Sequence, residues 1–117
     1  MLEEKKSYSI PYIGQIVYIK IDRPIHSKHP KHGFIYEVNY GFVPDTKAPD
    51  GEDLDAYLLG VTESVVEYTG RRVAVIHRTN DEDDKLIVIP DGTEISNQEI
   101  QKATHFQEQF FLSEILR

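Results

Sequence analysis

Gln15-Ile16-Val17-Tyr18-Ile19-Lys20-Ile21-Asp22 alternates without a break. Val17, Ile19 and Ile21 fall on one face, Tyr18 and Lys20 on the other. That two-residue period predicts a strand with one buried face. Pro24 and the run Ile25 to Gly33 interrupt it, and the aromatic-rich Phe34 to Phe42 reads as a second extended stretch. Two prolines, two aspartates and a glycine make Pro44 to Gly51 a loop. Leu54 to Val61, Arg72 to Ile76 and Lys85 to Ile89 read as strands of the largely buried kind. A turn signal at Thr69-Gly70 precedes the second, and Pro90-Asp91-Gly92 ends the sheet region. Ser96 followed by Glu99 matches a capping box. Ile100, Ala103, Phe106 or Gln107, Phe110 and Ile115 then recur at roughly helical spacing. They predict a helix over about 97–116 that could break near Thr104. Short strands followed by a helix give a mainly β (α+β) chain. They favour a small barrel or curled sheet with a C-terminal helix.

A chain of 117 residues suits one domain, expected over 1–117 with its strands at about 15–90. With 39% hydrophobic and 28% charged residues, whole-chain disorder is not expected. The absence of cysteine removes disulfides, thiolate nucleophiles and cysteine zinc sites. The N-terminus is too polar for a signal peptide, and no apolar run reaches the ~18 residues of a transmembrane helix. These features suggest a cytoplasmic protein with no membrane partner. The net charge of −7 makes nucleic acid an unlikely partner, although small barrels often bind single strands.

Asp50, Glu52 and Asp55 place three carboxylates within six residues at a loop-to-strand junction, and Gly51 permits a tight turn. Oxygen donors of this kind suit Mg2+, yet a solvated acidic turn has the same spacing. Asp81-Glu82-Asp83-Asp84, just before Lys85, is open to the same two readings.

Asn39-Tyr40-Gly41-Phe42-Val43-Pro44-Asp45-Thr46 followed by Asp50-Gly51-Glu52-Asp53-Leu54-Asp55 resembles the core of the soluble, Mg-dependent inorganic pyrophosphatases of family I. Asp83-x-Lys85-Leu86-Ile87-Val88-Ile89-Pro90 resembles their second acidic loop and the strand after it. His105-Phe106-Gln107-Glu108 is similar to the start of their C-terminal helix. The resemblance covers roughly Tyr12 to Phe111. It implies an OB-like closed β-barrel of about five to six strands, homo-oligomerisation, and hydrolysis of pyrophosphate to two phosphates. Under it, Asp50, Asp55 and Asp83 hold Mg2+ (Mn2+ as an alternative). Glu52 takes the place of the water-activating aspartate, and Tyr40, Lys85 and Arg23 contact phosphate. The chemistry agrees: divalent cations acidify water and offset charge on phosphoryl oxygens. A nearby carboxylate takes the proton, and cationic donors stabilise the leaving phosphate.

The departures from the pattern are specific. Glu52 is one methylene longer than an aspartate. Lys20 and Asn80 stand at metal-associated acidic positions. Phe110 and Phe111 stand where a tyrosine and a lysine grip phosphate. Such losses point alternatively to a catalytically weakened relative that binds metal and a phosphorylated ligand as a sensor or regulatory subunit. Arg23 to Gly33 forms a basic island in an acidic chain, with His26, His29 and His32 at every third position and Lys28 and Lys31 between them. It could supply phosphate donors, respond to pH, hold a transition metal through its histidines, or be a solvated loop. His77 and His105 read as structural, and Arg71-Arg72 as surface charge.

Overall fold

The computed structural model describes residues 13–46, 52–79 and 83–117. The described strands are β1 (Ile16–Arg23), β2 (Asn39–Val43), β3 (Leu54–Leu58), β4 (Glu67–Arg78), β5 (Asp84–Ile89) and β6 (Ser113–Leu116), with helix α1 (Asn97–Glu108) between β5 and β6. The order β1-β2-β3-β5-β4 closes through a β1–β4 pairing, so five strands form a barrel and β6 adds to β4. All pairs are antiparallel except β3 with β5. The patterning left a small barrel or a curled sheet open; this is the OB-like closed barrel that the resemblance implied, with its helix followed by one further strand.

The alternation in β1 holds: Val17, Ile19 and Ile21 are buried in the barrel. β3 and β5 show why their runs looked continuously apolar. Leu54, Ala56, Leu58, Leu86 and Val88 point into the barrel. Tyr57, Ile87 and Ile89 point outward, into a second cluster closed by Ile100 and Phe106 of α1. A strand with both faces covered loses the two-residue signal.

Three expectations are corrected. Thr69-Gly70 is no turn; β4 runs straight through it. A Cβ on Gly70 would lie 2.5 Å from the carbonyl oxygen of Ile89, so the glycine serves a close strand approach. The expected helix over about 97–116 ends at Glu108, and Thr104 lies unbroken inside it, its hydroxyl bonded to the Ile100 carbonyl. The half of β4 that extends beyond β1 offers an unpaired edge, and Ser113–Leu116 completes it. Backbone pairing there outweighs the helical spacing of Phe110 and Ile115. Finally, Arg71 pairs with Asp91 at the surface, but Arg72 is only 4% exposed and bonds Gln15. The capping box forms as read: Ser96 Oγ accepts from Glu99 N, and the Glu99 carboxylate accepts from Ser96 N.

Candidate active site

The parallel pairing of β3 and β5 sets Asp55 directly beside Lys85. Both side chains lie on the outward face, one step beyond the part of that face covered by α1. Lys85 is only 4% exposed. Its Nζ donates to Asp55 Oδ2 at 2.5 Å and to Asp83 Oδ2 at 2.8 Å. Burial alone would lower the lysine pKa, but Asp55 and Asp83 outweigh it and hold the ammonium above its usual range. The two carboxylates thus converge on one positive centre.

Asn39, Tyr40 and Gly41 have separate jobs. Asn39 is buried; its amide oxygen accepts from Ile25 N and its amide nitrogen donates to the Glu63 carbonyl. A Cβ on Gly41 would lie 1.8 Å from the Lys20 carbonyl oxygen, so only glycine lets β2 approach β1 there. Between them, Tyr40 turns its ring toward the Lys85 ammonium, 5.8 Å from the ring centroid. Burial, and then Asp55, push its phenol well above the usual range, so Tyr40 stays a hydrogen-bond donor.

A second buried cation, Arg78 at the end of β4, grips both carboxylate oxygens of Glu108 at 3.0 and 2.7 Å. Its guanidinium lies 3.6 Å from the Phe111 ring centroid and 3.9 Å from Asp83. Tyr57 donates to Glu108 at 2.6 Å, Gln107 donates to Tyr57, and Tyr36 donates to Gln107. The last turn of α1 is therefore tied by a buried polar network to the barrel wall that carries Lys85.

These groups border a cavity of about 780 Å³ lined by Asp22, Arg23, His29, His32, Phe34, Tyr36, Tyr40, Asp55, Arg78, Lys85, Gln107, Phe110 and Phe111. Of the residues singled out from the sequence, Arg23, Tyr40, Asp55 and Lys85 meet here, and Asp83 joins through Lys85. Arg23 arrives because a bulge after Ile21 shifts the β1 register and sets it opposite Tyr40. Glu52, Lys28 and Lys31 are exposed and do not line the cavity. Lys20 points to solvent from β1. Asp50, Asn80 and Asp81 lie outside the described residues. The His29 and His32 rings lie 4.7 Å apart, tilted by 33°, and His29 Nδ1 accepts from the backbone of Lys31 and His32. The three histidines do not assemble into a metal cluster, and no group of three or more His, Cys, Asp or Glu suited to a metal forms among the described residues. His77 bonds the buried Asp84 at 2.6 Å.

Arg78 and Asp22 were not singled out from the sequence, and Tyr36, Gln107 and Glu108 were read without a role in the site. Two had a signal. Arg78 continues the outward series Ala74, Ile76 by two, and Glu108 continues Ile100, Thr104 by four. The Asp22 carboxyl is raised by burial and by Asp55, against Arg23, which marks it as part of the same acidic corner.

Asp55 and Asp83 are hard oxygen donors with side chains 36% and 27% exposed. Mg2+ is commonly held by one or two carboxylates and keeps several waters. Asp55 and Asp83 have the donor chemistry for such an ion, and here both pair with the Lys85 ammonium.

The family described as inorganic pyrophosphatase matches residues 6–116. The chain belongs to the inorganic pyrophosphatase family. An inorganic pyrophosphatase of Saccharolobus solfataricus is 33% identical over 78 residues, which is 62% of this chain but 41% of that protein. The chain therefore matches less than half the length of that relative. In structure, the inorganic pyrophosphatase of Helicobacter pylori aligns over 91% of this chain and 86% of its own, with a TM-score of 0.68 and 20% identity. That of Ehrlichia chaffeensis covers 87% and 85%, with a TM-score of 0.66 and 20% identity. At such identity the structural likeness concerns the fold. Among the described residues, no helix is long and apolar enough to cross a membrane.

Proposed function

We propose that this chain hydrolyses inorganic pyrophosphate to two phosphates with a divalent cation, Mg2+ or Mn2+, held by Asp50, Asp55 and Asp83. The observation that carries this reading is the Lys85 ammonium shared by Asp55 and Asp83 at a cavity that also presents Arg23, Arg78 and Tyr40. The cation, when bound, acidifies water and offsets charge on phosphoryl oxygens.

The chain's own residues do the rest. Lys85 stays charged at neutral pH and donates to a phosphate oxygen. Arg23 and Arg78 add guanidinium donors, whose planar forks suit phosphate. Tyr40 donates its phenolic hydrogen. Glu52, three residues before Asp55, takes a proton from the attacking water once it turns from its exposed position toward the cavity, which it does not line here. Lys28 and Lys31 add positive potential at the rim, because their neighbours His29 and His32 line the cavity. Phosphate release from pyrophosphate, measured with and without Mg2+, tests the reading. No release above the uncatalysed background at high protein concentration would sink it.

A further inference from the structure

The cavity is lined both by cations, Lys85, Arg78 and Arg23, and by a run of rings. Tyr40 lies 5.8 Å from the Lys85 ammonium, Tyr36 5.5 Å from Tyr40, Phe34 5.4 Å from Tyr36, and Phe110 6.1 Å from Phe34. Phe34 and Phe110 are near-parallel, at 23°. Phe110 is 63% exposed although it lines the cavity. An apolar ring kept at the solvent edge of the cavity contributes little to the core. The volume, about 780 Å³, is in the class that encloses drug-sized ligands, whereas pyrophosphate alone would leave most of it to water.

We infer that Phe34 and Phe110 form a shelf for a planar base, and that the chain accepts a nucleoside diphosphate, its phosphates toward Lys85, Arg78 and Arg23. This rests on the phosphoanhydride hydrolysis proposed above and extends it to a larger substrate. The step balances with water alone as co-reactant. The water oxygen bonds to the terminal phosphorus, and the bridging P–O bond breaks. The bridging oxygen leaves with the electron pair on the nucleoside monophosphate. One water proton stays on the phosphate formed and the other goes to solvent. Aromatic rings suit this role because every base offers a π-face to stack on.

The test measures adenosine diphosphate, its non-hydrolysable methylene analogue and pyrophosphate on the full chain with Mg2+. Hydrolysis is followed by phosphate release and binding by calorimetry. The analogue should bind, and Phe110→Ala should weaken its binding about tenfold. Pyrophosphate binding should be weakened much less. Phe110 is exposed, so its removal leaves the core intact; Phe34→Leu provides a second variant with the same expected direction. Equal analogue binding by wild type and both variants overturns the shelf. Pyrophosphate hydrolysis with no binding or hydrolysis of the nucleotide overturns the shelf and leaves the proposed function standing. Failure of both substrates overturns both.

Discussion

The same strands build two interiors of different character. Inside the barrel, Val17, Ile19, Ile21, Val43, Leu54, Ala56, Leu58, Val75, Leu86 and Val88 form a wholly aliphatic cluster. Outside it, under α1, Tyr36, Tyr57 and Phe106 mix with Ile76, Ile87 and Ile100. That outer cluster grades into Gln107, Glu108 and Arg78 and then into the cavity. The inner cluster can only stabilise. The outer one also holds the site in place, because its polar members are buried and must keep their partners. Neighbouring residues on one strand therefore answer to different demands: Leu86 to packing, Lys85 to the charges of Asp55 and Asp83.

The largest effect should come from breaking the outer network. Glu108→Ala leaves the Arg78 guanidinium buried without its carboxylate, and should cost about 3–5 kcal/mol in denaturant unfolding. Glu108→Gln keeps the shape and the acceptor for Tyr57, and should cost less. If the two variants unfold alike, the outer cluster is held by packing alone, like the inner one.

Leu86→Ala should cost about 2–5 kcal/mol of stability. Under conditions where the variant is folded, its KM for pyrophosphate should match wild type. Lys85→Met, one residue away, should instead lower kcat about 10²-fold or more, with a native circular dichroism spectrum. A stability loss without an activity loss for Lys85→Met would erase the distinction between the two faces.

The smallest effects lie at the exposed start of α1, on the solvent side of the outer cluster. Ser96→Ala should cost about 1 kcal/mol. The Glu99 carboxyl is held below its usual pKa by the Ser96 backbone N–H and then by the Ser96 side chain. Its contribution is present above the carboxyl's unfolded pKa and is lost as pH falls through the folded one. The melting difference between wild type and Glu99→Gln should therefore be constant near neutrality and shrink in acid. A difference that grew on acidification would contradict the cap.

The contrast also explains what could be read along the chain. The alternation of Val17, Ile19 and Ile21, the Ser96–Glu99 box and the buried character of β3 and β5 are local properties. Each depends on residues within a turn or a strand. Asn39-Tyr40-Gly41, Asp55 and Lys85 were legible through their resemblance to a family and through their chemistry. Arg78 and Glu108 carried only a periodic signal, because a charge at the end of an apolar run looks the same whether water or a partner receives it. Likewise Ser113–Leu116 is too short for its period to outweigh the helical spacing around it. Composition and short-range pattern were enough to require a small mainly β fold with a capped helix. Strand pairing put Asp55 beside Lys85 and Arg23 opposite Tyr40, and docking of α1 put Glu108 onto Arg78. Those meetings follow from strand register and helix docking, where backbone pairing and the cost of burying an unpartnered charge choose among arrangements that no local stretch distinguishes.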